Sequence, residues 1–503
     1  MSSAPPSPRP PGSPWRHALE GALSVATAVT VMTVAAWAAL TALGAGAIAP
    51  VSRLVPMMVS VAVGGRVTFE SSPSSESAGS DALGGGLGGL LGGPGGGGGL
   101  SLGLAGEAAV TPLMLTFLGA AVLAISFFRP LRRRRRPAPA LLWSRCGGAL
   151  VTTAVVLPIL AGLAQGTARL PESVTERFGK GASSGAMSRF GGGGGGLTKG
   201  LSDITFETDA AATAFFGLLW VGAVLALGCL AARRTTLPRP LALSRLRLKW
   251  NAVTSTVTGI AVALSCSTLV IALLAGAAAL AGRDQAAEAA GLLLLLGPNL
   301  IGVLLTTGLG TSWEAGVHRL QADGGGMLGM LGGAAQGDTA GTDKSIDIGG
   351  WSGAGAPLWL IAMALMLVLL MIGGYVASAR TPARTLREDS EALLDRHLEI
   401  ALRMGIAVGI TALFLPLLTQ GSARIGISIM GNEMGGMTAG LDGTVGLSAL
   451  TGFVLAALAS YAGSRLQGRR ARRSSLAPQR PGGTSRRPAT TRQAIRVPSD
   501  SAS

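Results

Sequence analysis

Residues 210–234 read AAATAFFGLLWVGAVLALGCLAARR, an apolar run without one charged side chain until Arg233 and Arg234 close it. An α-helix rises about 1.5 Å per residue, so ~20 apolar residues cross the ~30 Å hydrocarbon layer of a bilayer. The stretch Ala210 to Ala232 is long enough. Seven others meet or approach its length: Gly21 to Ala45, Ala108 to Phe128, Cys146 to Ala164, Val253 to Ala281, Pro357 to Ala379, Met404 to Gln420 and Thr444 to Ala462. The expected fold is therefore an all-α membrane protein, with about eight transmembrane helices paired as four helical hairpins and Gly-rich outer loops. Residues 1–20 form a cytoplasmic N-terminal segment, 21–464 the transmembrane bundle and 465–503 a disordered basic cytoplasmic tail. Composition agrees, since only 13% of residues are charged, about half the share in soluble proteins.

Basic residues set the orientation, because short cytoplasmic loops accumulate Lys and Arg. With the N-terminus inside, 30 of the 41 Lys and Arg fall in cytoplasmic segments, and 18 of the 25 Asp and Glu fall outside. The run Arg132, Arg133, Arg134, Arg135 and Arg136 follows the second span and is expected to face anionic lipid headgroups, as is the tail, each basic residue near the surface contributing ~1 kcal/mol. The net charge of +16 is thus a matter of topology and does not imply nucleic acid. The plasma membrane of a bacterium, with both termini cytoplasmic, is the expected location. Between the inner helices, Arg380 to Arg403 places Leu386, Leu393, Leu394 and Leu398 on one helical face and reads as an amphipathic helix.

One stretch tests the count. Gly291 to Gly310, GLLLLLGPNLIGVLLTTGLG, is apolar enough to span, but a ninth crossing would carry Arg380 to Arg403 to the outer side. Pro298 lacks a backbone donor and clashes with the preceding turn, so a break at Gly297, Pro298 and Asn299 is expected, making a re-entrant or interfacial hairpin. Backbone of that kind at membrane depth must be buried in protein or line a wet cavity.

Local repeats run through the chain. GGLSLGL (Gly98 to Leu104), GGLTKGL (Gly195 to Leu201) and GGMTAGL (Gly435 to Leu441) each precede a span, with GGMLGML (Gly325 to Leu331) a looser fourth. Gln165-Gly166-Thr167-Ala168-Arg169 ends the third span and Gln420-Gly421-Ser422-Ala423-Arg424 the seventh, each after a Leu-Pro pair, Leu157-Pro158 and Leu415-Pro416. Duplication of units of one orientation implies a pseudo-symmetry axis along the membrane normal. The Gly-rich tracts, such as Gly84 to Gly93, Gly95 to Gly99 and Gly191 to Gly196, lack strand or helix periodicity and read as linkers or as loops folded back on the bundle.

Catalytic chemistry is sparse. Gly181 to Gly185 fits G-x-S-x-G, but a nucleophile of that kind needs a strand-to-helix turn with His and acid partners, and the site lies in a Gly/Ser loop. Cys146, Cys229 and Cys266 have no C-x-x-C spacing and read as packing residues. Nucleotide-loop, zinc and metalloprotease patterns are absent, so no catalytic, cofactor-binding or metal residue and no cofactor is expected. No Asp, Glu, Lys, Arg or His lies within the eight spans, which argues against a proton relay. Glu107, Glu207, Asp209 and Asp442 sit at outer span mouths, where they offset helix dipoles. Gln165, Gln420 and Asn299 lie near outer helix ends and are candidates for interhelical hydrogen bonds or, with Gly297 and Pro298, for a path.

The eight spans, the Gly-rich outer loops, the Arg-rich turns, the three GG-[LM] motifs and the paired QG-[ST]-AR segments resemble the streptophobe family of actinobacterial hydrophobic membrane proteins. That resemblance covers the whole chain, implies the same topology and carries no activity or site. The functional expectation is a non-enzymatic scaffold or partner subunit, whose partners are the bilayer and an unknown protein. The alternative is a channel or facilitative transporter with a path between the repeated hairpins.

Overall fold

The structure, a computed structural model, describes residues 14–71, 102–133, 138–169, 203–232, 238, 244–282, 284–321, 344–347, 358–381, 394–429 and 432–476. Its first half runs α1 (Pro14–Ala42), α2 (Val51–Ala62), β1 (Val67–Ser71), β2 (Leu102–Val110), α3 (Leu113–Arg133), α4 (Pro139–Leu163), β3 (Gly166–Arg169), β4 (Asp203–Thr208) and α5 (Ala210–Ala231). The second half repeats that order as α6 (Arg245–Leu280), α7 (Asp284–Gly308), β5 (Trp313–Gln321), β6 (Lys344–Asp347), α8 (Leu358–Arg380), α9 (Arg396–Thr419), β7 (Gly421–Ile429), β8 (Asn432–Gly443) and α10 (Val445–Leu476). All of these helices but α2 are long and apolar enough to cross a membrane, nine among the described residues.

Helix ends follow local chemistry. Asp209 accepts hydrogen bonds from Ala211 and Ala212 N–H, satisfying donors that the first turn of α5 leaves orphaned. Pro139 opens α4, where its missing N–H costs nothing. α2 and α7 end alike, on Gly64 at φ +103° and Gly310 at φ +87°, a backbone region that disfavours a Cβ. The following N–H groups turn back to the helix, Gly65 to the Ser60 carbonyl at 2.9 Å and Thr311 to the Thr306 carbonyl at 3.0 Å.

The strands form one antiparallel sheet in the order β3-β4-β1-β2-β7-β8-β5-β6, two four-stranded units of identical internal order. Registers repeat too. Val67 pairs Thr208 as Trp313 pairs Gly443, and Gly166 pairs Phe206 as Gly421 pairs Leu441. The halves join along β2 and β7, from Leu102 opposite Ile429 to Val110 opposite Gly421. Every strand but β6 leaves the end of one helix or enters the start of the next within a few residues, so the sheet caps one end of the bundle. Val67, Phe206 and Trp313 are buried on the bundle side while Thr68, Glu70, Glu207 and Glu314 are exposed, the alternation of a half-buried sheet. Trp313 anchors the second unit, its indole N–H donating to the Thr306 hydroxyl at 3.0 Å.

Several expectations are corrected here. The outer loops are not wholly irregular: their ends adjoining the helices pair as strands, and GGMTAGL lies within β8. Gly supplies no side-chain pattern, but its N–H and C=O pair as well as any other. The bend at Gly297-Pro298-Asn299 is not a break, because α7 is one helix from Asp284 to Gly308; neighbouring helices can compensate the bond that a Pro removes. Its ends nevertheless stay near the sheet. Gly291 sits against Ala39 and Leu43 at the end of α1, Gly302 against Leu415 and Thr419 at the end of α9, and Gly308 against Ala362 near the start of α8. The basic tail is helical through Leu476. Within Arg380 to Arg403, α8 ends at Arg380 and α9 begins at Arg396; Leu386 and Leu393 lie outside the described residues, as do Arg134, Arg135, Arg136, the G-x-S-x-G segment, GGLTKGL, GGMLGML and the three Gly tracts.

Candidate functional site

The two halves meet around α7. Asn299, 7% exposed, directs its amide at the start of α3: Oδ1 accepts from Leu113 N–H at 3.0 Å and Nδ2 donates to the Thr111 carbonyl at 2.8 Å. The first N–H groups of a helix have no partner within it, so Asn299 caps α3 from another helix. Thr116, one turn on, donates to the Ala62 carbonyl at 2.6 Å and ties α2 to the same corner. Glycines let α7 approach its neighbours: a Cβ on Gly302 would lie 2.6 Å from Thr419 Cγ2, and one on Gly297 3.1 Å from Thr268 Cβ.

Beneath this corner is a cavity of about 320 Å³, walled by α3, α6, α7, α8 and α9. Phe117, Ile260, Leu264, Ile301, Met366 and Val408 represent its lining, which contains no charged residue. Hydroxyls reach it only from Thr116, Ser265 and Thr411. The Thr116 hydroxyl is engaged as above, and that of Thr411 donates to the Ala407 carbonyl at 2.8 Å. The space therefore suits hydrocarbon, because a polar occupant would surrender its hydration without replacement.

Of the residues singled out in the sequence, Pro298 lines the cavity, while Gly297 packs on Thr268 and Asn299 holds α3. Gln165 and Gln420 lie elsewhere, and in matching places. Gln165 Nε2 donates to Glu207 at 2.9 Å and Gln420 Nε2 donates to the Gly443 carbonyl at 3.1 Å, each stitching the end of α4 or α9 to the strand before the next helix. Glu107 faces Arg66 at 3.4 Å across β1 and β2. Among the four outer acids, Asp209 is the one that caps a helix as expected; the others are strand residues.

At the opposite end of the bundle, arginines act as staples. Arg145, 2% exposed, meets Glu20 at 3.2 Å, donates to the Ser126 carbonyl at 3.3 Å and lies 5.0 Å from the Phe127 ring centre. Arg247, 4% exposed, donates to the carbonyls of Cys229 and Ala232 at the end of α5. Arg396 donates to the Thr381 carbonyl at 2.8 Å beyond the end of α8. Arg247 and Arg396 thus satisfy carbonyls at or just beyond a helix C-terminus, whereas the Ser126 carbonyl lies inside α3 and lacks its usual partner because Pro130, four residues on, has no N–H. Sequence reading missed Glu20 and Arg145 because each lies one residue before a span as drawn; that shared offset, on two helices that start from the same side, was the available signal. Arg132 and Arg133 end α3. Among the described residues no three His, Cys, Asp or Glu side chains gather as a metal would require. Compared with protein-family models, with curated proteins and with solved structures, the chain has no match.

Proposed function

We propose that this multi-pass membrane protein is a non-enzymatic scaffold or partner subunit of a bacterial plasma membrane, crossing the bilayer eight times with both termini cytoplasmic. The observation that carries this reading is the eight-stranded sheet, continuous across both halves, with seven of its eight strands adjoining a helix end within a few residues. A platform held at so many points has little freedom to lose on docking, which lowers the cost of association. Its exposed face carries Glu70, Glu107, Glu207, Glu314 and Asp442 against Arg66 and Arg424, an acidic excess that fits a basic partner surface. Gln165, Gln420 and Asn299, near the outer helix ends, are engaged in structural bonds.

Parity supports the crossing number. β4 and β5 belong to one sheet on one side, and three helices, α5, α6 and α7, lie between them. An even number must cross, and α7, with both ends near the sheet, is the one that does not. The basic bias of the opposite end supports an outer position for the sheet. The test is photo-crosslinking in living cells from a reactive residue placed at Glu70, Glu207 or Glu314, with lipid-facing Leu274 as control. Discrete heavier species from the sheet positions alone are expected; adducts from none of them, or equally from Leu274, contradict the reading. A facilitative path is the second reading, favoured by the cavity between the halves; its apolar walls suit a lipophilic solute and not an ion.

A further inference from the structure

We propose that the cavity between α3, α6, α7, α8 and α9 is a lipid site that takes one acyl chain of a phospholipid from the sheet-side leaflet. Shape is the first argument. Along α9 its lining runs from Met404 to Leu418, about 21 Å at the helical rise, a long slot that begins near the sheet end of the bundle and reaches toward mid-membrane. Chemistry is the second: the walls are aliphatic, aromatic and thioether side chains, and the hydroxyls of Thr116 and Thr411 are bonded to backbone. The remaining hydroxyl, of Ser265, cannot by itself hold a charged headgroup, so the chain enters and the polar end stays at the interface.

Duplication supplies the third argument. In the first half, α1, α2 and α4 line a groove of about 700 Å³ with Arg53 in its wall, but the interior between α1, α3 and α4 is closed. Met32, Val59, Leu115, Leu123 and Phe127 fill it, each 0% exposed, with Leu157 at 2%. The second-half core is smaller, because α6 stands away from α9 where its counterpart α1 packs closely on α4. One repeat closed its interior and the other kept it open. An empty apolar space of this size forfeits the contacts of all its walls, whereas in a bilayer the nearest filler is an acyl chain. α6 also touches α3 only sparsely, which leaves a lateral seam on the lipid side. The inference rests on the membrane reading and is independent of any partner on the sheet.

The test uses the purified full chain in vesicles of phosphatidylglycerol and phosphatidylethanolamine, with a phosphatidylglycerol that carries a diazirine midway along one acyl chain. After illumination, adducts are mapped by mass spectrometry. They should concentrate at 257–265 of α6 and 298–305 of α7 and exceed those on the lipid-facing stretch 270–274. Ala261→Phe and, independently from the α3 wall, Ala120→Phe should lower the cavity adducts about tenfold, the change a clash of ~1.4 kcal/mol produces, and leave 270–274 unaltered. Melting temperatures of both variants identify any that fail to fold, and the wild-type map decides even if both do. Adducts no denser in the cavity than at 270–274 would overturn the site, as would adducts indifferent to both fillings in folded protein. Labelling by a diazirine fatty acid but not by the phospholipid would overturn the assigned source.

Discussion

Asn299 illustrates how one side chain can be read two ways from sequence. Between a Pro and a Leu at membrane depth it invites a wet path; in the fold its amide caps α3 through Leu113 and Thr111. The two roles separate experimentally. Asn299→Leu keeps the volume and leaves a buried donor and acceptor unpaired, at a cost of about 1–3 kcal/mol, so the melting temperature in detergent should fall. An unchanged melting temperature would mean that the cap contributes nothing. Arg145 is the second such residue. Arg145→Met removes the partner of Glu20 and the donor to Ser126; because the Glu20 side chain remains 36% exposed, water takes part of the stranded charge, and the loss should be ~1–3 kcal/mol, short of a fully buried pair. Glu20→Gln, which keeps a neutral acceptor near the guanidinium, should lose less, and equal losses would argue that packing on Phe127 dominates. Arg145 was invisible as a buried group because a span drawn by hydropathy stops at the first cation, whereas the helix continues through it.

At the level of elements, the helices were legible and the strands were not. Hydropathy locates α5 and α8 almost to the residue, since nothing in those stretches competes with burial in lipid. β2 and β8, LGLAGEAAV and NEMGGMTAGLDG, lack the β-branched alternation that marks a strand; what orders them is the pairing of backbone groups to helix-anchored neighbours, which a sequence window does not contain. Their repeated Gly motifs were the trace of that constraint. Glycine within the helices has a separate role, close packing of backbones. A Cβ on Gly148 would overlap the Ala18 carbonyl of α1, and one on Gly463 the Met371 carbonyl of α8, while Gly162 and Gly222 have nothing within 4 Å. Gly148→Leu and Gly463→Leu should therefore destabilise the bundle by more than the 1–3 kcal/mol typical of overpacking, seen as loss of monodisperse protein or a lower melting temperature. Gly162→Leu and Gly222→Leu should be tolerated, and four alike responses would mean that helix propensity, not packing, governs these sites.

For the whole molecule, duplication is the organising fact, and the sequence showed it in miniature. Gln165 and Gln420 immediately precede corresponding strands β3 and β7, Pro158 and Pro416 lie in corresponding helices, and the expected axis along the membrane normal would follow from the proposed even number of crossings in each half. What the sequence left undecided was α7, long and apolar enough to span yet joined at both ends to the sheet side. If α7 crossed, β5 would emerge on the side opposite β4, and the sheet that contains both could not form. The prediction is specific to positions. In intact cells, on a background with Cys146, Cys229 and Cys266 replaced, single cysteines at Gln285 before the apolar stretch of α7 and at Ser312 after it should both react with an impermeant thiol reagent, as should one at Thr68. A cysteine at Arg469, in the part of α10 far from the sheet, should react only after permeabilisation. Reaction at one end of α7 and protection at the other would establish a ninth crossing and require the sheet to be split between two compartments. Protection at Gln285, Ser312 and Thr68 together, with Arg469 open, would instead invert the whole protein, placing the sheet inside against the basic bias; the geometry of α7 would survive, but the outer platform would not.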